Sequence, residues 1–239
     1  KTQPDFTLFK MKALYSIIIA LIFSGSLYSQ ENENIVSAFI EDENTISVKF
    51  AGEVDEDHHL KIELYNDSDR ITKVPFRVST TEYSINIKLD FTKKYIVKVG
   101  DSEKQAQPHW KAIDKLYTYE GELGSFYNWN KTDFKLWAPL ASKVVLNLYE
   151  KGLDEEPYET IELGRKDKGV WHTSVPGNLK GKYYTYSITN YGLTKEVMDP
   201  YAKSMAETVR ETFFTPRGAI VDQSSTGPSL DYAQIEGYE

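Results

Sequence analysis

Cysteine is absent from all 239 residues, which removes disulfides, thiolate metal sites and a cysteine nucleophile together. Histidine is scarce. The four present, His58, His59, His109 and His172, share no His-Glu-x-x-His or other metal-ligand spacing, so no metal site is assigned. The tandem His58-His59 lies among Glu53, Asp55, Glu56 and Asp57 and reads as a charged turn between strands. Positive charge is also in deficit: 28 Lys and Arg against 36 Asp and Glu leave a formal charge of −8. A nucleic-acid partner, which would be held by Lys and Arg on phosphates, is therefore not expected. No Gly-x-Ser-x-Gly elbow, phosphate loop or dinucleotide fingerprint occurs, so no cofactor is expected. Carboxylates are plentiful, but glycoside hydrolysis needs two at a fixed separation. The alternation of strands and helices that projects such a pair from a (β/α)8 barrel is missing, and that fold takes roughly 250 residues by itself. No catalytic residue is assigned.

Long hydrophobic runs are missing too, with one exception. Met11 and Lys12 precede the apolar stretch Ala13 to Phe23, and the small residues Ser24, Gly25, Ser26 and Ser29 follow. This order of positive start, apolar middle and small-residue exit reads as a signal peptide over residues 11–29, with the mature chain starting near Leu27 or Gln30. Residues 1–10 then lie upstream of the initiator. The run is shorter than the about 20 residues that span a bilayer, so no permanent membrane anchor is expected. Without cysteine, a lipoprotein anchor is excluded. The expected location is periplasmic, cell-surface or extracellular.

What the chain does have is alternation. A period of two marks Thr45–Phe50, Leu60–Tyr65, Tyr83–Leu89 and Tyr95–Val99 as half-buried strands, and these define a first β-sandwich over residues 31–105. The polar stretch from Gly100 to Gln107, closed by Pro108, predicts a boundary, with a linker over 106–118. A second set follows at Thr132–Trp137, Lys143–Tyr149, Tyr158–Leu163, Gly169–Val175 and Lys182–Ile188. Pro139, Gly152, Gly164, Pro176-Gly177 and Asn190-Tyr191-Gly192 separate these strands at the spacing of a sandwich over 119–222. The fold class is all-β: two tandem immunoglobulin-like β-sandwich modules after a signal peptide. Periodicity ends after Val221, and 223–239 reads as a linker.

Aromatic residues are abundant, with 17 tyrosines and four tryptophans, and their rings suit a sugar face as well as a half-wet strand. Trp137 and Trp171 alternate with polar neighbours and read as core. Trp110 and Trp129 fall in loop or strand-edge contexts. With Tyr149 they are the candidate glucan-binding platforms.

From Tyr119 onward the motifs become specific. Tyr119-Glu-Gly-Glu-Leu-Gly-Ser-Phe-Tyr127, Phe134-Lys-Leu-Trp-Ala-Pro139, Lys168-Gly-Val-Trp171, Gly181-Lys-Tyr-Tyr-Thr-Tyr186, Met198-Asp-Pro-Tyr-Ala-Lys203 and Arg217-Gly-Ala-Ile-Val-Asp222 follow one another over about a hundred residues. This series resembles the module that precedes the catalytic barrel of type I pullulanases, the isoamylase N-terminal or family 48 carbohydrate-binding type. The Phe-x-x-Trp-Ala-Pro motif taken singly fits isoamylases and branching enzymes as well. The Tyr-Glu-Gly-Glu-Leu-Gly and Asp-Pro-Tyr-Ala-Lys motifs point to pullulanases. The first sandwich is similar to the extra N-terminal module of short pullulanases.

The resemblance implies a parent enzyme that hydrolyses α-1,6 branch points of pullulan, amylopectin or limit dextrins. Its carboxylates would lie on a C-terminal barrel following Glu239, the expected partner of this chain. Asp199, Pro200, Tyr201, Arg217 and Gly218, where Pro200 fixes the shape of the turn and Tyr201 presents a ring with a hydroxyl tip, read as an edge that docks on that barrel. In glycogen-binding members of the group, two tryptophans with a lysine and an asparagine clamp the glucan. Here the corresponding stretches read Tyr149-Glu-Lys-Gly152 and Tyr191-Gly-Leu-Thr194, with Thr185 in place of the lysine. A platform covering on the order of 50–100 Å² of sugar contributes roughly 1–3 kcal/mol, and a millimolar complex needs about 4 kcal/mol, so losing two platforms pushes affinity beyond millimolar. The alternatives are a stand-alone or weak starch- or glycogen-binding module, and the N-terminal part of an isoamylase-like or glycogen-branching enzyme.

Overall fold

The structure, a computed structural model, describes residues 33–54, 60–67, 69–152, 156–206 and 216–222. The signal-peptide segment, the His58-His59 turn and the linker over 223–239 lie outside the described residues. The chain divides into two compact units, one ending at Ala112 and the other starting at Ile113. Both are built of β-sheets, as the alternation requires.

The first unit has a sheet in the order β5-β6-β2-β1-β9 and another in the order β4-β3-β7-β8. In the former, β1 (Ile35–Ile40), β2 (Thr45–Phe50), β5 (Phe76–Arg77) and β6 (Glu82–Asn86) are antiparallel, while β9 (Gln107–Pro108) joins β1 in parallel. The latter holds β3 (Glu63–Asn66), β4 (Asp69–Ile71), β7 (Tyr95–Val99) and β8 (Ser102–Gln105). Every second residue goes inward: Ile46, Val48 and Phe50 on β2, and Tyr95, Val97 and Val99 on β7, are buried. Each such side chain contributes about 1.5–3 kcal/mol of transfer free energy.

The second unit pairs β10 (Gly124–Asn128), β11 (Lys131–Trp137), β15 (Val170–Pro176) and β14 (Gly164–Arg165) in one sheet. The facing sheet runs β13 (Glu159–Glu162), β12 (Lys143–Tyr149), β16 (Tyr183–Asn190) and β17 (Leu193–Val197), with β18 (Gly218–Ala219) also on β16. Phe134, Leu136, Trp171 and Val175 from one sheet meet Val144, Leu146, Leu148, Tyr184 and Tyr186 from the other in a single core. Trp171 lies in that core, and its indole N–H donates to the Ala138 carbonyl at 3.0 Å. Trp137 is on the opposite face of its strand and donates to the carbonyls of Tyr117 at 2.9 Å and Lys168 at 3.1 Å. Its expected place in the core is corrected: one step along a strand reverses the face.

The segment 106–118 is not a bare linker. It carries β9 and then the helix α1 (Trp110–Tyr117), with Ala112 buried. The His109 backbone N–H donates to the Ile40 carbonyl at 2.9 Å, and its ring Nδ1 accepts the Lys111 N–H at 3.2 Å, so the helix starts from a fixed point. The polar run before it forms β8 on the edge of β7.

Candidate functional site

Asp199 follows β17 and is buried beneath the turn that Pro200 forces. Its Oδ2 accepts the Tyr184 hydroxyl at 2.8 Å and its Oδ1 accepts the Tyr201 backbone N–H at 2.8 Å. Burial pushes the Asp199 carboxyl above the ordinary aspartate value, although both hydrogen bonds oppose the shift. Burial also raises the Tyr184 hydroxyl far above the usual tyrosine range, with the Asp199 charge adding to it. Gly124 enters the same junction with φ +106, and a Cβ there would lie 2.7 Å from the Tyr201 carbonyl oxygen. Gly218 closes it from the other side, where a Cβ would meet the Tyr184 ring at 2.8 Å. Pieces of four separated motifs thus meet at one seam, two of them as glycines because backbone or ring occupies the space a side chain would take.

This divides the expected docking set. Asp199, Arg217 and Gly218 are buried within their own module and are corrected from surface to interior. Their polar groups are turned inward to hydrogen bonds, and Gly218 packs under a ring. Pro200 is exposed, and Tyr201 presents 45% of its surface.

The outer face of the β12-β16 sheet carries a second polar cluster. Asn147 Nδ2 donates to Thr185 Oγ1 at 3.1 Å and to Ser187 Oγ at 2.9 Å. Glu196 Oε1 accepts both the Thr185 hydroxyl at 2.6 Å and the Tyr149 hydroxyl at 2.7 Å. The Arg217 guanidinium lies 3.5 Å from the centre of the Tyr149 ring, and its Nη1 donates to the Lys151 carbonyl at 3.0 Å. Tyr149 is consequently 2% exposed, and burial, aided by Glu196, raises its hydroxyl pKa. Tyr149 is corrected as a platform: Arg217 occupies the ring face a sugar would need.

Trp110 and Trp129 remain open, at 66% and 71% exposure. They belong to different units. Trp129 stands at the tip of the β10–β11 hairpin, where the Asn128 side-chain oxygen accepts the N–H groups of Asn130 and Lys131 at 2.9 and 3.0 Å. Trp110 opens α1, with the His109 ring 5.8 Å away and Lys111 Nζ 5.6 Å from its centroid. Phe39 packs edge-on against His109 at 5.9 Å. Strand register then places Phe76, Ser84, Ser47, Phe39 and Gln107 in one row across the sheet. Phe39 and Phe76 were not singled out in the sequence, where the alternation of Phe39 with buried Ala38 and Ile40 was the available signal.

Among the described residues no group of three or more His, Asp or Glu converges as a metal site. A deeply buried carboxyl held by a tyrosine and a backbone amide is the chemistry of a structural seam. Residues 118–202, most of the second sandwich, match the family model Carbohydrate-binding module 48 (Isoamylase N-terminal domain). The chain is 28% identical over 161 residues to Pullulanase A of Streptococcus pneumoniae, covering 61% of this chain and 13% of that protein. In solved structures it is similar to the group B Streptococcus pullulanase SAP, one of whose structures is a complex with maltotetraose, at 25% identity and a TM-score of 0.67 over 82% of this chain and 27% of that one. It is also similar to an Anoxybacillus pullulanase complexed with maltotriose, at 28% identity and a TM-score of 0.55 over 83% and 29% of the two chains. The chain corresponds to a non-catalytic N-terminal region of a pullulanase-like protein and spans about an eighth of the length of that streptococcal relative.

Proposed function

We propose that this chain is the exported N-terminal scaffold of an enzyme that hydrolyses α-1,6 branch points in pullulan, amylopectin or limit dextrins. The second sandwich docks on the catalytic barrel through Pro200 and Tyr201 instead of gripping glucan on its β12-β16 face. The observation that carries this reading is the Arg217 guanidinium on the Tyr149 ring at 3.5 Å, with Thr185 and Glu196 hydrogen-bonded beneath. That face is filled by the module's own side chains. The half-exposed Tyr201 ring, with its hydroxyl tip, is of the kind enriched at protein interfaces. The leader over 11–29 directs export, and the mature protein is periplasmic, cell-surface or extracellular without a permanent membrane anchor.

Tyr201→Ala tests the docking. In the full-length enzyme the change lowers both melting temperature and pullulan hydrolysis, while the 239-residue chain alone melts as before. Equal losses in the two would assign Tyr201 to the module's own packing and remove the docking edge. A second reading, weak glucan contact by the first module, is favoured by the row that joins Phe76 and Phe39 through Ser84 and Ser47 beside Trp110. Retardation of the chain in an amylopectin gel, abolished by Trp110→Ala, would support it.

A further inference from the structure

On β11 and β15 the residues that alternate with the core point to the opposite face of the sheet. Lys135 and His172, directly paired across the two strands, stand there with Val170. Tyr119 and the loop residues Lys166 and Asp167 complete a hollow of about 280 Å³ around them. Nothing in the docking seam or the Arg217 cluster uses this hollow.

Its parts are held in place. The Tyr119 ring lies over Gly121, filling the space where a Cβ would stand, so the glycine of the Tyr-Glu-Gly motif backs the aromatic ring. Val170 forms a buried apolar floor. His172 Nε2 lies 3.5 Å from Asp133 Oδ1, and Lys131 Nζ lies 2.7 Å from Oδ2 of the same carboxylate. Burial works to raise the Asp133 pKa, but hydrogen bonds from Lys131, Ser174 and His172 hold it below the usual range. The loop is set by Lys168 and Gly169, both at positive φ, and by the Lys166 N–H donating to the Val170 carbonyl at 2.7 Å.

We propose that this hollow binds one glucosyl residue of an α-glucan, stacked on Tyr119. The inference rests on the reading of the parent enzyme as one that acts on α-glucans. A pyranose has an apolar C–H face and a rim of hydroxyls that both donate and accept. The hollow offers the complement: a tyrosine ring and a valine floor, donors at Lys135 and Lys166, an acceptor at Asp167, and an imidazole that does either. The Asp167 carboxylate disfavours a small anion, which needs donors alone.

Maltotriose titrated into the ¹⁵N-labelled 239-residue chain tests this. The amides of Tyr119, Lys135, Lys166 to Val170 and His172 shift together and saturate with a dissociation constant of about 1–10 mM, which takes the stacked ring and the polar rim acting together. Tyr119→Ala weakens those shifts about tenfold or more, one hot contact being worth that much. The exposed-rim variant Asp167→Ala weakens them as well and guards against misfolding of the first. Unmoved amides at roughly 50 mM maltotriose, shifts confined to Phe39 and Trp110, or the same shifts produced by inorganic phosphate would each overturn the site. Pullulan cleavage by the full-length enzyme is measured separately: cleavage with a silent hollow rejects this site alone, and absent cleavage rejects the enzyme reading.

Discussion

Replacing Arg217 by alanine separates an internal role from a docking role for this residue. The guanidinium covers the Tyr149 ring at 3.5 Å and donates to the Lys151 carbonyl at 3.0 Å in a buried setting. A desolvated cation–π contact is worth about 1–2 kcal/mol and a hydrogen bond from a charged donor about 1.5–3 kcal/mol. These terms overlap because one group makes both, so the expected cost is about 2–4 kcal/mol. For a module of roughly 100 residues, each kilocalorie moves the midpoint by about 4–8 °C, which sets an expected fall of about 10–25 °C. Calorimetry of the 239-residue chain reads this in the transition of the second module. Arg217→Lys, which keeps the charge without the planar stacking surface, falls between the two. A drop under about 3 °C for Arg217→Ala would refute the internal role, since it leaves less than 1 kcal/mol for both contacts.

The remaining expectations concern the seam and the leader. The Asp199 carboxyl has a folded pKa above its unfolded value, so its contribution to stability is fully present below about pH 4 and is lost as pH rises through the folded pKa. Asp199→Asn, compared with the parent in thermal melts at pH 7 and pH 3, therefore gains ground on it at the higher pH; a difference constant with pH would reject the buried-charge account. Gly124→Ala, at φ +106 and with its Cβ 2.7 Å from the Tyr201 carbonyl oxygen, costs about 1–3 kcal/mol in denaturant titration; an unchanged midpoint would show that the seam can relax. When expressed for secretion from Met11, the protein is cut near Ser26 or Ser29, and mass spectrometry finding an uncut N terminus on exported protein would refute the leader.

Strands buried on one face were legible because alternation and burial are the same physical fact. Thr45–Phe50, Tyr95–Val99 and Lys143–Tyr149 run from the first residue to the last as read. Two-residue strands such as Phe76–Arg77, Gly164–Arg165 and Gly218–Ala219 are too short for any period to register. The helix Trp110–Tyr117 makes about two turns of mixed residues, below the length at which helical periodicity stands out from a loop. The site was harder for a different reason. Tyr149 reads as a strand-end ring open to sugar until Arg217, far along the chain, is seen lying on it. Asp199 reads as part of a docking edge until Tyr184 is seen to take its carboxylate inward. Such pairings are long-range and leave no local pattern. The Gly-rich motifs themselves were visible, but their reason, close approach of Tyr119, Tyr201 and Tyr184 to Gly121, Gly124 and Gly218, belongs to the folded chain.

The boundary between Ala112 and Ile113 falls inside the helix Trp110–Tyr117, and this governs how the protein can be divided. A cut at the boundary would leave three helical residues on one product and five on the other, and neither stump reaches the length at which a helix holds by itself. The first product would lose the continuation of the turn that His109 fastens to the end of β1. The second would begin on a frayed helical stump ending at Tyr117, whose carbonyl receives the Trp137 indole. Domain exchange between homologues therefore needs crossover points at the helix flanks, upstream of Gln107 or downstream of Tyr119, with the helix travelling intact.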